Sequence, residues 1–501
     1  MAASLPLSKF TLSVGEIALV ANWILEGKFR QKAAIFKKHK SLWILVSFYA
    51  VLLIGMLYSK DWAFGIRYLR IELPILLIIP VIATSEKLSG NQLKIVLLTF
   101  CAAVFINTLI SASILFGIID YTYTDIRDIS VFISHIRFSL MIVLTIFILS
   151  YFLFLKKSNL YEKILYPLVI AWLITSLFLF KTMTGIIIFL IIATTSIIYY
   201  SIRRRNLFIR ISVIFIIISL FSYIVFYILQ INKNLYPKNE NINNELRVKT
   251  ENGNTYTHFP QKKQVENKNY VWINICEKEL KKEWEERSEI PYHGKDIKGQ
   301  PIRKTIIRYL TSKGLTKDSA GIGKLSEKDI QFIESGITNY RFTEKWSLYQ
   351  KIYETIWQIK QFKEKEYPGS YSVAMRFFYL KTAFYIIQNN FWKGVGTGDI
   401  KTAYHDYYSS FYPGLKKKYR GRAHNQFVTF FVGFGILGFI WLSFSLIYPA
   451  IREKGFNNYL FLAFFLIVFL SMLNEDTLET HIGASFFAVF YGLLLYGYKK
   501  E

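Results

Sequence analysis

His424 stands where a basic run, Lys416-Lys417-Lys418-Tyr419-Arg420-Gly421-Arg422-Ala423, meets an apolar stretch. An imidazole can take a proton near neutral pH. Neighbouring arginines disfavour a positive charge on it, which leaves it available as a base toward a sugar hydroxyl. The plain alternative is a histidine that caps the helix or anchors it at an interface. His135, His405 and His481 each stand alone without a supporting motif. A second set of residues is cationic: Arg67 and Arg70, Arg137 beside His135, Lys181, and Arg420 and Arg422 ahead of His424. Guanidinium groups present fixed donor forks that match phosphate oxygens two at a time, so such a cluster suits a lipid pyrophosphate. The alternative is that these side chains snorkel to lipid phosphates or pair with Glu72, Asp120, Asp125 and Asp128.

Other patterns point less clearly to chemistry. Gly394-x-Gly396-x-Gly398 and Gly321-x-Gly323-Lys324 lack the strand-then-helix setting and the spacing of a nucleotide-binding loop. Glu475, Asp476 and Glu479 could bind a divalent ion, although solvation of a helix end accounts for them more simply. Cys101 lies in an apolar run and Cys276 in a polar one, so neither a disulfide framework nor a zinc site is expected. No metal, cofactor or redox role is predicted.

These residues must be positioned by a membrane protein. The chain has 501 residues, 52% hydrophobic and only 19% charged, with a mean hydropathy of +0.28, too apolar for a soluble globular protein. About eleven stretches are long and apolar enough to be read as spans: 5–26, 41–59, 66–84, 92–119, 135–155, 160–180, 184–200, 207–229, 424–448, 457–474 and 480–497. The net charge of +26 would suggest nucleic acid in a soluble chain, but here it must first be apportioned between two membrane faces. One set of alternate loops carries Lys28, Arg30, Lys32, Lys37, Lys38, Lys40, Lys87, Lys156, Lys157, Lys163, Arg203, Arg204, Arg205, Arg452, Lys454, Lys499 and Lys500. The other set is poor in base, which makes the first cytoplasmic and puts the cationic cluster and His424 outside. An external position makes nucleic acid an improbable partner. A start such as Ser4-Leu5-Pro6-Leu7-Ser8 on the outside is unusual, and one further span ahead of Leu5 would restore a cytoplasmic start.

The organisation predicted is an all-α polytopic membrane protein. Residues 1–230 form a bundle of about eight helices, 231–423 a large helical periplasmic loop domain, and 424–501 about three more membrane helices. Within the loop domain, Ser326-x-x-Asp329 reads as a capping box and 343–366 and 371–390 as amphipathic helices. Residues 232–270, rich in Asn, Lys and Glu, read as loop.

The sequence resembles the O-antigen ligase family, which also contains polysaccharide polymerases. The resemblance is carried by Leu5-Pro6-Leu7-Ser8 with Asn22-Trp23-Ile24-Leu25-Glu26-Gly27, by His135-Ile136-Arg137-Phe138-Ser139-Leu140, and above all by two other groups. These are Arg376 with Asn389-Asn390-Phe391-Trp392-Lys393-Gly394-Val395-Gly396-Thr397-Gly398, and Arg422-Ala423-His424-Asn425-Gln426. The long insert, with Glu277-Lys278-Glu279-Leu280 and Thr305-Ile306-Ile307-Arg308-Tyr309-Leu310, looks like that of Bacteroidetes members. The resemblance implies a GT-C-like transmembrane glycosyltransferase that takes a glycan from undecaprenyl pyrophosphate at the periplasmic face of the inner membrane, without a metal. Arg376 and His424 match the family's essential arginine and histidine. A second family arginine is expected where this chain has Met183 or Thr184, in Lys181-Thr182-Met183-Thr184-Gly185.

The expected site therefore has His424 and Arg376 as catalytic residues, with Arg137, Lys181, Arg67, Arg70 and Arg422 available to the pyrophosphate. The acceptor would be a lipid A-core glycan for a ligase or another lipid-linked repeat for a polymerase, and the surroundings membrane lipid. A transporter of lipid-linked sugars ranks well behind, because the charges gather at one face rather than at mid-bilayer and no repeat is visible.

Overall fold

The structure is a computed structural model describing residues 1–123, 125–156, 158–202, 207–344, 347–365 and 372–499. The protein is an all-α polytopic membrane protein. Among the described residues six helices are long and apolar enough to cross a membrane: Lys40–Leu57, Gly90–Leu115, His135–Phe154, Leu160–Leu179, Arg210–Lys233 and Gln426–Arg452. Met183–Ile198, Tyr459–Met472 and His481–Leu495 are shorter apolar helices. Two more helices, Lys9–Leu25 and Trp62–Thr84, occupy the first and third of the stretches read from the sequence. Arg203, Arg204, Arg205, Lys157 and Lys500, used above to assign topology, lie outside the described residues.

The chain divides into two compact units. The first, Met1–Tyr199 with Tyr367–Glu501, is the helical bundle. Its centre is the His481–Leu495 helix, buried along its length and packed on Trp62–Thr84, while Gln426–Arg452 packs on Lys40–Leu57. Tyr459–Met472 has 14 residues and His481–Leu495 has 15. Both fall short of the roughly 20 needed to cross a bilayer core. The turn between them, residues 473–480, therefore sits low among its longer neighbours, and Glu475, Asp476 and Glu479 are each only 8% exposed.

A second departure from a simple bundle is the break of the Gln426–Arg452 helix at Gly435, where φ is 62°. A broken helix frees backbone groups that must find other partners. The segment after the Ser372–Asn389 helix supplies them. Val395 N donates to Val432 O at 3.0 Å, Gly396 N to Gly433 O at 2.8 Å, and Ile436 N to the Phe391 carbonyl at 2.8 Å. A Cβ on Gly394 would fall 2.4 Å from the Gly433 backbone, and one on Gly435 2.4 Å from that of Trp392. The glycine run is thus a backbone clasp. It continues to the turn before Trp62–Thr84, where Asp399 accepts from the backbone N–H groups of Lys60 (2.9 Å) and Asp61 (2.8 Å).

The second unit, Tyr200–Glu366, contains the apolar Leu207–Lys233 helix and a compact polar body. Helices Glu277–Arg287, Ile302–Ser312 and Glu327–Glu334 enclose a core that includes Trp284, Ile306, Leu310 and Ile333. The predicted capping box is present, with Ser326 and Asp329 bonded reciprocally. The amphipathic stretches appear as Tyr349–Lys365 and Ser372–Asn389, the latter in the first unit. Residues 232–270 are mostly irregular, with one small antiparallel pair, Val265–Glu266 against Asn269–Tyr270.

Candidate functional site

The sunken turn at 473–480 organises the cations. It is pinned to the start of the Gln426–Arg452 helix, because Asn425 Nδ2 donates to Leu473 O (2.8 Å), Leu478 N donates to Gln426 Oε1 (2.9 Å) and Thr429 Oγ1 donates to Asp476 Oδ1 (2.8 Å). Asn425, not His424, caps that helix, accepting from Val428 N. Capping therefore does not explain His424. Its backbone is left-handed, with φ 50°, an uncommon state for a non-glycine residue that the bonded neighbours enforce.

Arg376 reaches the turn from the Ser372–Asn389 helix. Its Nη1 donates to Asn474 Oδ1 at 2.6 Å and its Nη2 to Glu475 Oε1 at 2.7 Å. The other Glu475 oxygen lies 3.7 Å from Nδ1 of His424. Tyr379, one turn after Arg376, tilts its ring toward the His424 imidazole with centroids 5.9 Å apart. One helix face thus carries one contact to the carboxylate and one to the imidazole. His424 is 42% exposed and Arg376 33%, so both can be reached by a ligand.

Arg137, at the start of His135–Phe154, donates to Ser134 Oγ (2.9 Å) and to the Asp476 carbonyl (3.4 Å). Its buried Nε has no hydrogen-bond partner among the described residues. Thr184, where the resemblance expects a second arginine, accepts from Asn474 Nδ2 at 3.3 Å. The asparagine that holds Arg376 therefore also touches this position. Lys181 lies three residues earlier in a left-handed turn with φ 54°. Gly185 abuts Ser139, which brings the starts of the two helices together.

Arg422, partly exposed, forms an ion pair with the buried Glu479, which also accepts from the Tyr68 hydroxyl at 3.1 Å. Burial pushes the Glu479 carboxyl up to about 7, with Arg422 pulling the other way. Burial alone would lower the Arg422 guanidinium, but Glu479 and Asp476 more than offset it and hold it above its ordinary value. Arg67 and Arg70 are exposed on the same helix as buried Tyr68 and Glu72 and do not join the cluster. Arg420 is engaged elsewhere, donating to Leu415 O and Ser409 Oγ.

The cluster thus unites Arg376, His424, Arg137 and Arg422. The partners anticipated for the cations were different ones. Asp125 pairs with Arg127, and Glu72 is buried with neither oxygen hydrogen-bonded among the described residues. Glu475, Asp476 and Glu479 are neither solvated helix-end residues nor, among the described residues, part of a group arranged to hold a metal. The available signal was three acids within five residues between two apolar runs. Asn474, Glu475 and Tyr379 were not singled out as partners of the site.

No curated protein matches the chain. Residues 346–443, which contain Arg376, the glycine clasp, Arg422 and His424, match the profile of the family described as O-antigen ligase.

Proposed function

We propose that the protein is a glycosyltransferase of the bacterial inner membrane, its site open to the periplasm. It would transfer a glycan from undecaprenyl pyrophosphate to a hydroxyl of the lipid A-core. The observation that carries the reading is the Glu475 carboxylate shared between Arg376 at 2.7 Å and His424 at 3.7 Å, at the mouth of a membrane bundle. Glu475 orients the imidazole through Nδ1, which leaves Nε2 to take the proton of the attacking hydroxyl. Arg376 and Arg137 stabilise the charge that grows on the departing pyrophosphate, and Lys181 adds a point charge. The hydroxyl attacks the anomeric carbon opposite the leaving group, so the configuration inverts. No metal takes part in this scheme. Arg422, neutralised by Glu479, builds the floor of the site rather than gripping phosphate, and Arg67 and Arg70 meet the donor at the lipid surface.

The test is replacement of the native gene by His424→Ala and Arg376→Ala, followed by examination of the lipopolysaccharide ladder. The expected result is loss of the ladder with accumulation of lipid-linked polymer while the protein remains in the membrane. Caps of a single repeat would assign a polymerase instead, and an unchanged ladder in both variants would remove the reading.

A further inference from the structure

At the end of the bundle opposite the site lies a cleft of about 720 Å³. It is bounded by the first turn of Gly90–Leu115, the last turn of His135–Phe154, and the segments that follow Gln426–Arg452 and His481–Leu495. Its lining includes four lysines, Lys94, Lys156, Lys454 and Lys499, against one carboxylate, Glu453. That carboxylate is already engaged, accepting from Ser41 Oγ at 2.6 Å. Lys94 pairs with Glu162 and lies 5.5 Å from the centre of the Phe152 ring. Lys454 and Lys499 are exposed and have no ion pair among the described residues. The rest of the lining mixes the amides Asn91, Asn457 and Asn458 with an apolar strip formed by Tyr151, Phe152 and Leu93. Tyr151 is braced by stacking on Tyr459, with centroids 6.0 Å apart.

A cleft with surplus ammonium groups at its rim and apolar rings along its wall complements an amphiphile with an anionic head. Its place at the ends of membrane helices puts the rim at headgroup depth. A soluble anion would use the lysines and leave the apolar wall wet. We propose that this cleft binds the phosphate headgroup of an anionic phospholipid, with Lys454 and Lys499 as the principal charges and Tyr151 and Phe152 against the proximal acyl chain. The role is separate from glycan transfer, and its readout does not depend on that activity.

Native mass spectrometry of the full chain in detergent, with added phosphatidylglycerol, cardiolipin or phosphatidylcholine, tests this directly. The expected result is retention of the two anionic lipids over phosphatidylcholine. Retention should fall roughly thirtyfold in the Lys454→Gln/Lys499→Gln double variant and persist in Lys454→Arg/Lys499→Arg. Lys37→Gln/Lys38→Gln, at the same end but outside the cleft, should behave as the native protein. Equal retention of phosphatidylcholine, or an equal loss in the Lys37/Lys38 variant, would overturn the proposal. So would binding of inorganic phosphate that the lipids do not displace, which would assign the cleft to a soluble anion.

Discussion

Glu475 Oε2 stands 3.7 Å from Nδ1 of His424, across a turn whose other carboxylate contacts are already taken. The separation is longer than a hydrogen bond, and only a small movement of the imidazole closes it. Such looseness is common in ligand-free sites, where catalytic hydrogen bonds tighten once substrate is bound.

If Glu475 orients the histidine, Glu475→Gln should keep a hydrogen bond to Arg376 while losing the charge that favours the imidazolium formed during transfer. The expected loss is roughly 10²-fold or more in kcat with a much smaller change in KM. Transfer assayed with purified lipid-linked donor checks it. A native kcat would show that the carboxylate only holds Arg376 in place.

Glu479 is enclosed and its charge is met by Arg422, so removing the arginine alone should harm more than neutralising both. Arg422→Met alone leaves a buried carboxylate and should lower stability by about 3 kcal/mol, whereas Arg422→Met with Glu479→Gln should recover most of that. Thermal unfolding in detergent of the two single variants and the double variant gives the coupling. Strict additivity would mean that the two side chains act independently.

Gly394 sits at φ 68° with backbone where a Cβ would go, so Gly394→Ala should disrupt the clasp on the broken helix. Strain and displacement together should destabilise by several kcal/mol, of order 3. Gly414→Ala, which meets nothing within 4 Å, should leave the melting temperature almost unchanged. Equal melting temperatures for the two variants would exclude the clasp.

Asp329 in the polar unit is buried. Although burial raises its carboxyl, Lys313 and the Tyr309 hydroxyl pull it down from 3.8 to about 2. The folded state therefore binds this proton more weakly than the unfolded chain. The stabilisation is complete above the unfolded value near 3.8 and is lost as pH falls through about 2. It amounts to roughly 2 kcal/mol. Amide protection across Glu327–Glu334, taken relative to the intrinsic exchange rate at each pH, should fall toward pH 2 in the native protein. Asp329→Asn should already exchange faster at pH 6 and show a weaker acid dependence; identical profiles would contradict the assignment.

The helices were legible because each apolar run and each cap is local. Ser326 with Asp329, and the stretches now seen at His135–Phe154 and Gln426–Arg452, need only their own residues to be recognised. His424 and Arg376 were singled out by the motifs around them, and the structure places both against Glu475. The glycine run was visible but read only as a poor nucleotide loop, because its real partner, the break at Gly435, leaves no local trace in composition. Arg67 and Arg70 shared the right end of a span with Tyr68, yet helix phase places them on the exposed side.

Composition and periodicity by themselves determined a helical membrane protein with cations and histidines, His424 among them, gathered at one set of helix ends. Only the tertiary structure decided which anions meet those cations. Glu475 lies 99 residues from Arg376, and Glu479 lies 411 from Tyr68. Pairings over such separations depend on how helices pack, and on two short helices lowering their turn into the bundle. There a carboxylate without water must find a guanidinium, a hydroxyl or an amide, and that requirement sets the geometry of the site.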